Sequence, residues 1–165
     1  MSVTVAKTAG FCFGVRRAVD LAEQQTRQGG EIYAYGEIIH NMHEIARLEK
    51  MGVHTAHTIE EIPDGERVLI RAHGVPRAVY DAFRAKNCEI FDATCPFVQK
   101  IHRIVDRESR DGRLVLILGK EGHPEVEGIR GWCSESVVID GEQAAQTFAD
   151  ALEPASRPVS LVAQT

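Results

Sequence analysis

The chain has 165 residues, 44% of them hydrophobic and 26% charged, which is typical of a folded globular protein rather than a disordered one. Its 19 Lys and Arg residues against 24 Asp and Glu residues give a formal net charge of −5, and no basic stripe interrupts that balance, which argues against a nucleic-acid binder. No apolar run approaches the about 20 residues of a membrane-spanning helix, and the start lacks a secretion signal, so we expect a cytoplasmic protein without a membrane or nucleic-acid partner.

Short β-branched runs alternate with amphipathic stretches along the chain, which indicates an α/β protein with a mainly parallel sheet. Strands are predicted at residues 3–6, 32–35, 68–71, 89–91, 114–118, 137–139 and 159–162. The first helix is predicted from apolar residues at helical spacing between 15 and 22, and it ends at Gly29. Further helices are predicted at 41–51, 76–86, 96–111, 126–131 and 143–151. Because a complete α/β domain seldom ends on a bare strand, the stop at Thr165 suggests a truncated chain.

Side chains that can do chemistry follow five of the predicted strands, on the loops that lead into helices. They are Cys12, His40, His73, Cys95, and His123 together with Glu125. The carboxyl ends of parallel strands form the crevice where α/β proteins bind ligands. We therefore expect these loops to meet at one edge and to form a functional site.

Four cysteines in a reducing compartment are better interpreted as metal ligands, catalytic thiols or core residues than as disulfides. Cys12 and Cys95 each precede a predicted helix, where free backbone N–H groups favour the thiolate, so we interpret both as functional. Cys88 follows a helix and Cys133 follows Trp132, and for both a structural role is the better interpretation.

The histidines permit two kinds of chemistry, because neutral imidazole binds metals and charged imidazolium binds phosphate. Three of them, His40, His73 and His123, are expected at the crevice, and the other four are expected to have no specific role. Glu125 could deliver protons, although a glutamate near a helix start can also act only on the helix dipole. A Cys–His hydrolase and a single zinc site stay open, but the chain lacks the local ligand pairs typical of zinc.

Five motifs resemble, in order and spacing, the 4-hydroxy-3-methylbut-2-enyl diphosphate reductases, which catalyse the last step of the non-mevalonate isoprenoid pathway. These motifs are AGFCFGVRRA (9–18), GEIIHN (36–41), RAHGV (71–75), DATCP (92–96) and GHPEVEG (122–128). The resemblance runs through essentially the whole chain and weakens after about residue 131.

The resemblance implies a role for each of the candidate residues. Cys12 and Cys95 match two of the three cysteines that hold the family's 4Fe–4S cluster. The three histidines at positions 40, 73 and 123 match residues that bind the substrate's diphosphate. Glu125 matches the acidic residue that supplies protons, and Thr165 matches a threonine that faces the substrate.

The resemblance also implies an architecture of pseudo-repeated α/β lobes with mainly parallel sheets flanked by helices. Residues 1–95 would form the first lobe and residues 96–165 an incomplete second lobe, while the third lobe, with the third cluster cysteine, would be missing. The implied reaction is the reductive dehydroxylation of the diphosphate to isopentenyl and dimethylallyl diphosphate, with ferredoxin or flavodoxin as electron donor. The alternatives are an inactive fragment that only binds diphosphate, or a Cys/His zinc hydrolase.

Overall fold

The fold, taken from a computed structural model, is described for residues 2–7, 9–151 and 157–165. The helices in these ranges are α1 (Phe13–Arg27), α2 (Met42–Glu49), α3 (Arg77–Ala85), α4 (Pro96–Arg110), α5 (Pro124–Arg130) and α6 (Glu142–Ala151). The strands are β1 (Ile32–Tyr35), β2 (Val53–Ala56), β3 (Arg67–Ile70), β4 (Glu89–Asp92), β5 (Leu114–Leu118), β6 (Ser136–Ile139) and β7 (Val159–Ala163).

The first sheet has the order β2-β1-β3-β4, and all of its strand pairs are parallel. Strand β3, one of its two inner strands, is apolar on both faces, because Val68, Leu69 and Ile70 are all fully buried. Leu69 packs into a core that includes residues of α1 and α2, whereas Val68 and Ile70 pack on the other side with Phe83 of α3. A continuous apolar run of this kind is typical of a parallel strand covered on both faces.

The second sheet is also parallel and has the order β6-β5-β7. Val115 and Ile117 of its central strand are fully buried and form a core cluster with Val105 of α4 and with apolar residues of α5. Elsewhere on this sheet, Leu118 and Leu161 are 47% and 66% exposed. Helices therefore cover Val115 and Ile117 of this sheet, whereas its large apolar side chains at Leu118 and Leu161 stay exposed.

Several helices begin directly after a residue that the sequence analysis marked as functional. Cys12, Cys95 and His123 are the N-caps of α1, α4 and α5. Pro96 and Pro124 open the latter two helices, where a proline loses no hydrogen bond and its fixed φ suits the first turn. The chain thus presents these three side chains at helix starts.

The expected α/β class with mainly parallel sheets flanked by helices is confirmed, and six of the seven predicted strands are present. The predicted strand at residues 3–6 is wrong. Val3 and Val5 are 80% and 74% exposed, and this segment pairs with no strand in the described part of the chain. Strand β2 was not predicted, because its two central residues, His54 and Thr55, are polar and interrupt the short apolar pattern.

The division of the chain into lobes at residues 1–95 and 96–165 stays a prediction. Among the residues that the structure describes, no helix has the length and apolar character needed to cross a membrane.

Candidate functional site

The three histidines expected at the crevice lie together. The rings of His40 and His73 are 5.1 Å apart between centroids, and those of His73 and His123 are 5.5 Å apart and nearly perpendicular. One ring nitrogen from each residue lies within 4.8 Å of the others. The loops after β1, β3 and β5 therefore bring three imidazoles to one point, although β5 belongs to a different sheet.

The local backbone determines how His123 can interact. Its Nδ1 accepts a hydrogen bond from the backbone N–H of Glu125 at 3.1 Å. An imidazole whose Nδ1 accepts a hydrogen bond carries its proton on Nε2. The free nitrogen of His123 is therefore a hydrogen-bond donor.

His73 is half-buried at the centre of the cluster. Its burial lowers the pKa to about 4, and the nearby His40, Arg71 and His123 act in the same direction. His73 is therefore neutral at pH 7. Its Nδ1 is buried and has no hydrogen-bond partner among the described residues, so this nitrogen is available to a ligand or a solvent molecule.

Arg71 was not predicted as a site residue, although it lies in the RAHGV motif and ends the apolar strand predicted at 68–71. Its side chain packs against Gly36, where a Cβ would collide with the guanidinium. Burial lowers the pKa of Arg71, while Tyr35 and Glu37 oppose that effect. A half-buried positive charge therefore lies beside the histidines, and a charged residue at the end of a buried strand was the signal for it.

The predicted cysteines and the predicted acid open into one cavity of about 360 Å³. Its wall includes Cys12, Cys95, His73, Glu125 and Thr165, and the remainder is glycine and apolar side chains. The structure therefore brings five of the seven predicted site residues to this cavity. The other two, His40 and His123, join it through the histidine cluster.

The two thiols occupy equivalent positions at the N-termini of α1 and α4, and neither side chain caps its helix. Cys12 is exposed and Cys95 is half-buried. Gly14 lies against Cys95, because a Cβ at position 14 would be 2.8 Å from the Cys95 Sγ. The glycine therefore leaves room for this thiol, and two thiol side chains at one cavity are a donor set for a soft metal or an iron–sulfur cluster.

Glu125 is buried at 3% exposure in the wall of the cavity. Its Oε1 accepts hydrogen bonds from the backbone N–H of Thr165 at 2.7 Å and from the Thr165 hydroxyl at 2.9 Å. Thr165 reaches this position because Gln164 continues β7 by donating its N–H to the Leu118 carbonyl at 2.8 Å. Glu125 and Thr165 are thus in direct contact.

The other two cysteines lie away from the cavity. Cys88 packs in the core beneath α3, and Cys133 packs beside α5, where burial raises the pKa of its thiol. Neither residue is among those that line the cavity around Cys12.

A second cavity, of about 670 Å³, lies between α3 and α4 and contains none of the predicted site residues. Its wall includes His102 and Trp132, whose rings stack 5.0 Å apart. His102 was expected to have no specific role, because a histidine on an amphipathic helix carries no signal of its burial. In the structure it is only 3% exposed.

The comparisons with known proteins agree with each other. A family model described as LytB protein matches residues 3–165. The 4-hydroxy-3-methylbut-2-enyl diphosphate reductase of Clostridioides difficile (strain 630) is 43% identical, across 84% of this chain and 50% of the relative. The reductase of the same name from Aquifex aeolicus (strain VF5) is 38% identical, across 100% of this chain and 57% of the relative.

Solved structures give the same result. The E-1-hydroxy-2-methyl-but-2-enyl-4-diphosphate reductase of Plasmodium falciparum matches with a TM-score of 0.88 at 27% identity, covering 96% of this chain and 50% of that one. A second structure, of (E)-4-hydroxy-3-methyl-but-2-enyl diphosphate reductase, matches with a TM-score of 0.83 at 39% identity, covering 99% of this chain and 58% of that one. The chain thus spans about half the length of the relatives it matches.

Proposed function

Because the chain belongs to the LytB protein family, we propose that it supplies the substrate-binding and proton-donating loops of a 4-hydroxy-3-methylbut-2-enyl diphosphate reductase. In the proposed reaction two electrons and two protons reduce the substrate's allylic C–O bond. The hydroxyl leaves as water, and isopentenyl or dimethylallyl diphosphate results. The observation that carries the proposal is the meeting of three histidines, within 4.8 Å of one another, with the cavity that holds the thiols and the acid.

The diphosphate would bind at the histidine cluster. His123 offers Nε2–H as a donor, because its Nδ1 is already engaged by a backbone N–H. Neutral His73 can donate one further hydrogen bond, and the half-buried charge of Arg71 favours an anion at this point. Together these residues supply donors and positive charge to a group that has only acceptors.

A metal ion is the second candidate for the same cluster, because three imidazole nitrogens within 4.8 Å of one another suit zinc. The hydrogen bond at His123 argues against it. Binding a metal through Nε2 would require the proton on Nδ1, where it would oppose the N–H of Glu125. The cluster therefore favours an anion over a zinc-dependent hydrolase.

Cys12 and Cys95 would hold the 4Fe–4S cluster that the family resemblance implies, and a third cysteine would have to come from outside these 165 residues. When bound, such a cluster supplies electrons one at a time, and we propose ferredoxin or flavodoxin as their source. Phe13 and Phe97, next to these cysteines, are 63% and 65% exposed, which gives a further segment of protein an apolar surface to cover.

Glu125 would deliver protons to the substrate. Both hydrogen bonds from Thr165 go to Oε1, so the carboxyl is held in one orientation. Among the described residues Oε2 has no hydrogen-bond partner, and this oxygen would carry the proton. The apolar wall of the cavity limits competition from water. The proposed role of Thr165 is to orient this acid against the substrate.

Two measurements test the proposal. The first is calorimetric titration of the chain with inorganic pyrophosphate, where we expect binding that His73→Ala abolishes. If pyrophosphate does not bind and zinc binds instead, the assignment of the histidines is wrong.

The second measurement is the iron and sulfide content after anaerobic reconstitution. We expect Cys12→Ser to lower the iron content strongly, whereas Cys133→Ser should leave it unchanged because Cys133 packs beside α5. Equal loss in both variants would contradict our assignment of the ligands. Pyrophosphate binding without any bound iron would favour the alternative, a fragment that only binds diphosphates.

A further inference from the structure

The segment that carries His73 is tied to the end of α5 through Trp132, the only tryptophan of the chain. The indole Nε1–H of Trp132 donates a hydrogen bond to the backbone carbonyl of Val75 at 2.9 Å. A second bond, from the Arg77 N–H to the Gly131 carbonyl at 3.3 Å, joins the same two stretches of backbone. The residues after β3 are therefore linked directly to the residues after α5.

Two side chains pack against the indole ring. The His102 ring stacks on it with centroids 5.0 Å apart and planes 17° from parallel. The Arg77 guanidinium lies over the ring at 4.8 Å from its centroid, and Asp106 forms an ion pair with that guanidinium. Because stacking and cation–π contacts both depend on orientation, the ring cannot tilt without losing them, and its N–H stays aimed at Val75.

The backbone beside His73 has no spare room. Gly74 has a φ of +70°, and a Cβ there would be 2.6 Å from the His102 Cε1. On another side, a Cβ at Gly128 of α5 would be 3.4 Å from the backbone of Gly74 and from the His73 carbonyl. Helices α4 and α5 and Trp132 thus surround residues 73–75.

We propose that Trp132 is a positioning residue for His73, and that its indole N–H sets where this imidazole stands in the histidine cluster. This role rests on the proposed function, in which His73 binds the diphosphate. Trp132 also packs into two of the hydrophobic core clusters, so ordinary packing is the competing explanation. The N–H separates the two explanations, because packing needs only the ring.

The test is Trp132→Phe, which keeps an aromatic ring and removes the donor. The matched control is Tyr80→Phe, because the Tyr80 ring is 5.9 Å from that of Trp132 and its hydroxyl pairs with Thr94 at 3.3 Å, not with residues 73–75. In ¹H–¹³C NMR spectra we expect the His73 ring signals to shift and broaden in Trp132→Phe but not in Tyr80→Phe. We also expect pyrophosphate to bind about fivefold more weakly to Trp132→Phe, as suits the loss of one hydrogen bond.

If the His73 signals are unchanged in Trp132→Phe, or change equally in both variants, Trp132 only packs in the core and does not position His73. If the natural chain binds no pyrophosphate, the proposed function fails, and the His73 signals still decide the positioning role. If Trp132→Phe does not fold, the single indole N–H signal of the natural chain decides instead. Slow hydrogen exchange of that proton supports its bond to Val75, and exchange as fast as that of a solvent-exposed indole overturns it.

Discussion

His102 makes the stability of this protein sensitive to mild acid. The side chain is 3% exposed, and its Nε2 is buried without a hydrogen-bond partner among the described residues. Burial lowers the pKa of His102 to about 4, and the charge of Asp92 opposes that effect only in part. In the unfolded chain a histidine has its ordinary pKa of about 6.5.

The sign and the magnitude follow from this difference. Between about pH 6.5 and pH 4 the unfolded chain binds a proton that the folded protein does not, so stability falls as the pH falls. The stability that neutral His102 contributes is fully present above about pH 6.5. A difference of about 2.5 pKa units, at about 1.4 kcal/mol per unit, corresponds to a loss of about 3 kcal/mol by pH 4.

The assay is urea denaturation at several pH values between 7.5 and 4.5 for the natural chain, His102→Gln and His57→Gln. Glutamine has a similar volume and does not titrate, so we expect His102→Gln to lose the His102 share of the pH dependence of the free energy of unfolding. The share of His73, whose pKa burial also lowers to about 4, should remain. His57 is exposed in a loop, and its replacement should leave the pH dependence unchanged. If His102→Gln retains the full slope, His102 is not the group that resists protonation, and the reasoning fails.

Three other substitutions test the geometry of the site. Gly74→Ala should destabilise the fold by more than about 2 kcal/mol in urea denaturation, because φ is +70° and the methyl group would be 2.6 Å from the His102 Cε1; unchanged stability would contradict this. Gly14→Ala should lower iron uptake without unfolding α1, because its Cβ would be 2.8 Å from the Cys95 Sγ, and full iron content would refute it. Glu125→Gln should keep pyrophosphate binding in titration but abolish turnover of the diphosphate. Turnover by the variant at the rate of the natural protein would exclude this acid as the proton source.

Local patterns in the sequence predicted most of the secondary structure. The run Val68–Leu69–Ile70 is apolar throughout, as a strand buried on both faces requires, and α4 opens on a proline. The segment at 3–6 has the same β-branched character but forms no strand, because a strand also needs a partner with free backbone groups. Whether a neighbouring strand is available depends on the fold, so the four residues of this segment could not indicate it.

The candidate site shows the same division. The sequence located each reactive residue on a loop after a predicted strand, and the chemistry of cysteine, histidine and glutamate was sufficient to name it. The sequence could not give the distances between these residues. The loops that carry His40 and His73 are adjacent because β1 pairs with β3, although β2 lies between them in the chain.

What the sequence by itself determined is the set of reactive groups and the helices and strands that present them, because both depend on residue type and on spacing within a few positions. The tertiary structure alone decided that His123 joins His73 from the other sheet, that the Arg71 side chain packs against Gly36, and that His102 is buried. Burial and proximity change the pKa values and the available donors of these groups. Both are set by contacts between residues far apart in the chain, which no local pattern records.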